Sequence, residues 1–393
     1  MRPHIILAIF SSLVIFLMSC NSATSLNSEL ESTLTPIKTT TGNSTIDIAA
    51  NPTGDDPGSS PILENPSIQA STTATQTPSP TPTPILRQLT SGGCCSGPTW
   101  SADGQRILYI DRPSPESRSG LWGINRNGGQ PEFITDRLGI YSADMSLRAF
   151  PRDGEVIIEH LDSEEQWRIP NGGRLVSFSP DGAWIAWTAG QSGPPFDVAQ
   201  GEVWVSRSDG SEARRVFASI GGGFTGWFPD GRLLVRGRIK SPGNEQAYWA
   251  LSLEHSQGEQ PGIVELGRGS RLREAKISPN GRWLAYLVTS SEDPNQNGLW
   301  LADTYNGEKR RLELFGGYNW RDEDNLLVVP LDLSQPLHRL IQINALTREV
   351  LLLTDPAITP FKIANGDWSV SPDGQHITYI SAFDQNIWLL TMP

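Results

Sequence analysis

The chain has 393 residues, 37% of them hydrophobic and only 19% charged, with 38 Gly, 30 Pro and 13 Trp, a balance that suits many short strands joined by turns better than helices. The formal net charge is −12, about −4 before residue 86 and −8 after it, so no basic domain is hidden and nucleic acid is not an expected partner. Three cysteines are too few for a disulfide framework, and none has the C-x-x-C spacing of a zinc or thiol-redox site.

The chain opens with MRPHIILAIFSSLVIFLMSC, in which Arg2 precedes an apolar run from Ile5 to Met18. This is the pattern of a signal peptide, and the run is shorter than the about 20 residues of a bilayer span. Leu17-Met18-Ser19-Cys20 resembles a bacterial lipobox, with Met18 atypical for its place. The resemblance implies that residues 1–19 are removed, that Cys20 carries lipid, and that the remainder is an extracytoplasmic lipoprotein anchored to the cell membrane. An uncleaved anchor helix is the alternative, and it too places the rest outside the cytoplasm. Residues 20–84 are rich in Ser, Thr, Asn and Pro and end in TQTPSPTPTP without an apolar period. Such a segment cannot bury enough surface to fold and is predicted to be a disordered linker.

From residue 85 to 393 one unit recurs. The segments TWSADGQRILYI (99–110), AFPRDGEVIIEH (149–160), SFSPDGAWIAWT (177–188), GWFPDGRLLVRG (226–237), KISPNGRWLAYL (276–287), NWRDEDNLLVVP (319–330) and SVSPDGQHITYI (369–380) align without gaps. Each reads as strand, tight turn, strand, because Asp-Gly and Asn-Gly pairs supply positive φ and the flanking apolar residues alternate. A third strand bearing Trp follows in most units, at Trp122, Trp167, Trp204, Trp249, Trp300 and Trp388. A shorter fourth strand follows in EFIT, RRVF, IVEL and RRLEL. Most separations match a four-stranded blade, and the pattern predicts an all-β, seven-bladed β-propeller. Only 28 residues separate Gly154 from Gly182. The second unit is therefore expected to lack a fourth strand, and a six-bladed ring with an inserted hairpin is the alternative. The last unit stops after its third strand, so ILRQLT (85–90) is expected to complete it and close the ring.

The S-P-D-G turn, the Trp strand and the following R-R/Q-L-T strand resemble the repeat of TolB-like propellers and the related WD-type families. That resemblance implies a fold and leaves function open, because its members include partner-binding proteins, peptidase gatekeeper domains and some enzymes. No G-x-S-x-G elbow is present. His160, His255, His338 and His376 fall in different units, so no metal or cofactor is assigned. Asp293 opens a D-x-N-x-N-G segment, but Thr304 stands where a calcium loop needs Glu, and an ordinary polar turn is the simpler reading. The adjacent Cys94 and Cys95 could close as a vicinal disulfide, pair between chains or stay as thiols.

Long connections after second and fourth strands are expected to gather on one face, and function commonly rides on such loops. Arg112, Tyr141, Phe196, Arg238, Arg268, Arg271, Asp293, Phe361 and Lys362 are the candidate binding residues there. The expectation is a monomeric, membrane-tethered module that binds a protein, peptide or envelope glycan without catalysis. Its rival is a propeller enzyme, a polysaccharide lyase or hydrolase or a redox enzyme, with metal or cofactor in the central channel.

Overall fold

The computed structural model describes residues 83–190, 199–239, 245–253 and 262–393. The expectations for residues 1–82, with Cys20, and those for Phe196 and His255 lie outside that range. The described part is an all-β propeller, and none of its helices is long and apolar enough to cross a membrane.

Strand β1 is Ile85–Gln88. The first sheet holds β2 (Ser96–Trp100), β3 (Arg106–Asp111), β4 (Gly120–Asn125) and β5 (Glu132–Thr135), and the second β6 (Ile140–Tyr141), β7 (Leu147–Arg152), β8 (Glu155–His160) and β9 (Gln166–Ile169). A seven-stranded third sheet runs through β10 (Val176–Phe178), β11 (Trp184–Gly190), β12 (Gln200–Arg207), β13 (Arg214–Trp227), β14 (Leu233–Arg238), β15 (Gln246–Leu251) and β16 (Ile263–Gly269). The fourth comprises β17 (Arg271–Ile277), β18 (Trp283–Thr289), β19 (Gly298–Asp303) and β20 (Lys309–Leu312). The fifth comprises β21 (Gly316–Trp320), β22 (Asn325–Pro330), β23 (Ile341–Asn344) and β24 (Val350–Leu352). In the sixth, β25 (Ile363–Val370), β26 (His376–Ser381) and β27 (Ile387–Thr391) are joined by β1. That last pairing is antiparallel, with Ile85 opposite Thr391 and Gln88 opposite Trp388.

Two sequence expectations need correction. Among the described residues seven separate sheets do not form: there are five four-stranded sheets and one of seven strands. The third and fourth hairpins share the long sheet because the 14-residue β13 pairs with β12 through its first part and with β14 through its second. Glycine makes the passage from one to the other feasible. A Cβ at Gly222 would collide with the Arg236 carbonyl, and the pairing shifts register between Ile220 and Gly223.

The second correction concerns phase. Asp153-Gly154 joins β7 to β8, the second and third strands of a complete four-stranded sheet. The turn equivalent to the others is Ser142-Ala143-Asp144-Met145, where Ser142 Oγ donates to Asp144 Oδ1 at 2.6 Å and Met145 adopts φ 60°. The same bond links Ser101 to Asp103, Ser179 to Asp181, Ser371 to Asp373, and Ser278 to Asn280. Each serine hydroxyl also accepts from the backbone N–H five residues on, as Arg106 and Trp184 show. One short side chain thus closes both sides of the turn.

Neighbouring sheets are held by apolar clusters. Tyr318, Trp320, Leu326 and Val328 of the fifth sheet pack with Ala285, Leu287 and Leu301 of the fourth, and Tyr379 and Ile377 of the sixth, with Phe361 just before β25, pack with Leu327 and Val329 of the fifth. Indoles add a directional bond at several junctions. Trp100 donates to the Ser369 carbonyl and Trp320 to that of Lys276, at 3.4 and 2.9 Å, and within the long third sheet Trp227 of β13 makes the same bond to the Ser177 carbonyl of β10 at 3.2 Å. Lys276 reinforces the junction of the fourth and fifth sheets, its Nζ donating to the Tyr318 carbonyl and to Asn319 Oδ1. Burial lowers its pKa to about 8, against the pull of Glu274. Among the described residues, the junction of the first and second sheets has no apolar cluster of comparable extent. Leu108 and Ile157 are buried there by strand alternation, beside the Arg148–Glu159 ion pair.

Trp320→Phe keeps an aromatic ring at the junction and removes the donor, leaving the Lys276 carbonyl to its strand partner Ala285 alone; a loss of at least about 0.5–1.5 kcal/mol in denaturant unfolding is expected, and an unchanged midpoint would show the indole bond to be idle. Hydrogen bonds from Ser101, Ser142 and Ser179 are the main cause holding the carboxyls of Asp103, Asp144 and Asp181 below their ordinary value of 3.8. Their folded pKa values lie below the unfolded one, so the stability they contribute is present above 3.8 and drains as pH falls through the folded values. Replacing all three by Asn, the residue already at position 280, should flatten the loss of stability below about pH 4. An acid limb as steep as the parent's would refute that assignment.

Candidate functional site

Turns between first and second strands lie on one face of the ring, the turn face, and connections from second to third and from fourth to next first strands lie on the other, the loop face. A cavity of about 860 Å³ opens on the loop face over the third and fourth sheets. Its walls come from strand ends that point there. Thr188 lies near the end of β11, Gln200 and Gly201 begin β12, Arg236 and Arg238 lie at the end of β14, Gln246 begins β15, and Ser270 leads into β17 at Arg271 to Arg273. Arg174, from the β9–β10 connection, and the Gly221–Thr225 stretch of β13 complete it.

Five arginines therefore border one space: Arg174, Arg236, Arg238, Arg271 and Arg273. Strand alternation explains the grouping, since residues two apart on a strand share a face about 7 Å apart. Arg236 and Arg238 flank Gly237 on β14, and Arg271 and Arg273 flank the fully buried Leu272 on β17. Arg236 donates through Nη1 to the Leu272 carbonyl at 3.0 Å, which ties β14 to β17. Gln246 Nε2 donates to the Gly221 carbonyl at 2.8 Å, and Thr188 Oγ1 accepts from the Phe224 N–H at 2.9 Å. The floor is thus backbone held in place by the buried Gln246 and the half-buried Thr188.

Of the residues expected to bind, Arg238 and Arg271 meet at this cavity. The others do not. Arg268 lies on β16, where Glu265 engages it at 2.7 Å. Arg112 sits in the first sheet's β3–β4 connection and donates to the Pro115 carbonyl. Asp293 caps a short 3₁₀ turn, Pro294–Gln296, accepting from the Asn295 N–H. Lys362 is half-buried beside the core. Two expectations are overturned. Phe361 is fully buried, edge-on to His338 and Tyr379, because the chain here already belongs to the core under the sixth sheet. Tyr141 stands at the turn-face end of β6, not on a loop, because the second repeat is phased one strand earlier than its Asp-Gly pair implies; its hydroxyl donates to the Arg137 carbonyl. Burial raises its pKa, with Arg148 opposing.

Arg174, Arg236 and Arg273 had escaped notice. The signal was present in the R-G-R and R-L-R triplets at 236–238 and 271–273, whose outer members fall on one side of a strand.

Cys94 and Cys95 are joined as a vicinal disulfide in the β1–β2 connection, also on the loop face. The Cys94 N–H donates to the Gln385 carbonyl, and both cysteines pack on the junction of the first and sixth sheets. Among the described residues no three His, Cys, Asp or Glu side chains gather as metal ligands. His376 Nδ1 pairs with Thr391, and His338 Nδ1 accepts from the Ile363 N–H.

No family model matches the chain. The Tricorn protease homolog 1 of Streptomyces coelicolor is 34% identical over 94 residues, which amount to 23% of this chain and 8% of that protein, so the chain spans a small part of that relative. Among solved structures, the oligogalacturonate lyase of Vibrio parahaemolyticus superposes with a TM-score of 0.52 at 10% identity, covering 80% of this chain and 98% of the other. That likeness is one of fold. TolB from Acinetobacter baumannii is a more distant neighbour, with a TM-score of 0.36 at 14% identity over 78% of each chain.

Proposed function

We propose that this protein is an extracytoplasmic binding module, held at a bacterial membrane by lipid on Cys20, which engages a protein, peptide or envelope glycan through the loop face. One observation carries the reading: the arginine-bordered cavity opens on the face opposite the one where the chain enters the ring. Ile85 pairs with Thr391, and the Met392 N–H donates to the carbonyl of Gln375, next to the Gly374 turn. The strand that leads from the linker therefore starts at the turn face and leaves the cavity unobstructed by its own entry. Preformed concave sites with a few convergent polar groups are where ligands usually bind. In this reading the ring counts as seven blades, with β13 serving as the outer strand of one and the inner strand of the next.

A photo-crosslinking residue at Ser270, on the cavity rim, should trap a partner in intact cells, whereas the same residue at Asn127, in a turn-face hairpin, should not. Equal adducts at both positions, or adducts at Asn127 alone, would overturn the loop-face assignment. In the same cells labelled fatty acid should be incorporated into the parent chain and not into Cys20→Ser, and an unlabelled parent would overturn the anchor.

A further inference from the structure

We propose that the loop-face cavity is a site for an acidic glycan, a saccharide bearing carboxylate or phosphate groups. The proposal rests on the loop-face reading and adds the chemistry of the ligand.

Charge gives the first argument. The chain carries a net −8 after residue 86, yet no Asp or Glu is among the described residues bordering the cavity while five arginines are. Elsewhere on the propeller arginines are matched with carboxylates, as Arg106 is with Glu132, Arg168 with Glu155, Arg215 with Glu202 and Arg339 with Asp332. Arg236 instead meets a neutral carbonyl. Arg271 and Arg273 are exposed side by side on β17, and neither guanidinium makes an ion pair or hydrogen bond among the described residues. The guanidinium groups of Arg271 and Arg273, on one strand and without an ion pair among the described residues, are preorganised for anions, which they hold through paired N–H bonds.

The remainder of the lining separates a glycan from other polyanions. Ser270 and Ser290 bring exposed hydroxyls, and Thr188 and Gln246 add a half-buried hydroxyl and a buried amide. These match sugar hydroxyls. An acidic peptide would draw its anchoring from apolar or aromatic side chains seated in dry pockets, and the lining has little to receive them: Leu272 is turned into the core and Phe224 is packed on Trp227 with ring centres 5.9 Å apart. Single-stranded nucleic acid would require open aromatic platforms. The volume of about 860 Å³ lies within the range of sites that enclose small ligands.

Calorimetry on the detergent-solubilised full chain decides the matter, with oligouronates, a phosphate-bearing oligosaccharide, neutral malto-oligosaccharides and poly-L-glutamate as titrants. At least one of the two acidic saccharides should bind, and which one identifies the anionic group. Neutral sugar should bind at least about tenfold more weakly, and added salt should weaken the acidic ligand. The double variant Arg271→Ala/Arg273→Ala should lose at least about tenfold in affinity, with Arg271→Lys/Arg273→Lys falling between it and the parent; an unaltered circular dichroism spectrum and melting temperature identify a binding defect. Equal binding of neutral sugar, tighter binding of poly-L-glutamate, no binding of either acidic saccharide, or full affinity in the double alanine variant would each overturn the proposal. Crosslinked partners at Ser270 with no acidic saccharide bound would discard the glycan and keep the loop face, whereas partners at Asn127 alone would discard both.

Discussion

The pairing of β1 with β27 is the constraint on which both faces of the ring depend. Residues from opposite ends of the propeller meet there, so the closure carries an entropy cost that local turns do not. A dense set of contacts offsets it. Beyond the four paired residues, the Leu89 N–H donates to the Ile387 carbonyl, Thr90 Oγ1 accepts from the Ile387 N–H, and the Gly93 N–H donates to Asn386 Oδ1. Leu89 is buried with Trp100, Tyr109 and Ile387. The disulfide-bearing connection is thereby laid against the hairpin from Ser381 to Asn386, and the sixth sheet gains the outer strand that covers an otherwise open edge.

Once the ring is closed, cavity and fused sheet follow from one local fact. Where β13 leaves one hairpin and joins the next, the backbones of Gly222 and Arg236 come too close for a side chain. The glycines that permit this approach also strip side chains from the cavity floor, so Arg236, Arg238, Arg271 and Arg273 border open space. Geometry that looks like a departure from the repeat is what makes a recess of useful size in a fold whose other sheets have four strands each.

Much of this was legible in the residues. Asp-Gly and Asn-Gly turns between alternating apolar strands located five of the seven hairpins, alignment of R-D-E-D-N with them located a sixth, and ILRQLT was recognisable as a strand without a hairpin partner. The second repeat was misread because Met145 occupies the positive-φ position that glycine holds in most other units, while Asp153-Gly154 offers a more conspicuous turn one strand later. Ser142 and Asp144 were the better guide, since their hydrogen bond recurs whatever residue follows. The cavity was legible only in part. Its arginines come from separate sheets and connections, and only the two R-x-R triplets announce that some of them share a face. Phe361 shows the opposite failure, an aromatic in a Pro-rich connection that tertiary packing draws fully into the core.

Closure is tested most directly by comparing equilibrium unfolding of a chain that begins at Thr83 with one that begins at Ser91 and so lacks β1. The shorter chain should unfold at a markedly lower denaturant concentration, with hydrogen-exchange protection lost first along β27. Equal midpoints and equal protection of β27 would contradict the account, because the first strand would then be an ornament on a ring that closes without it.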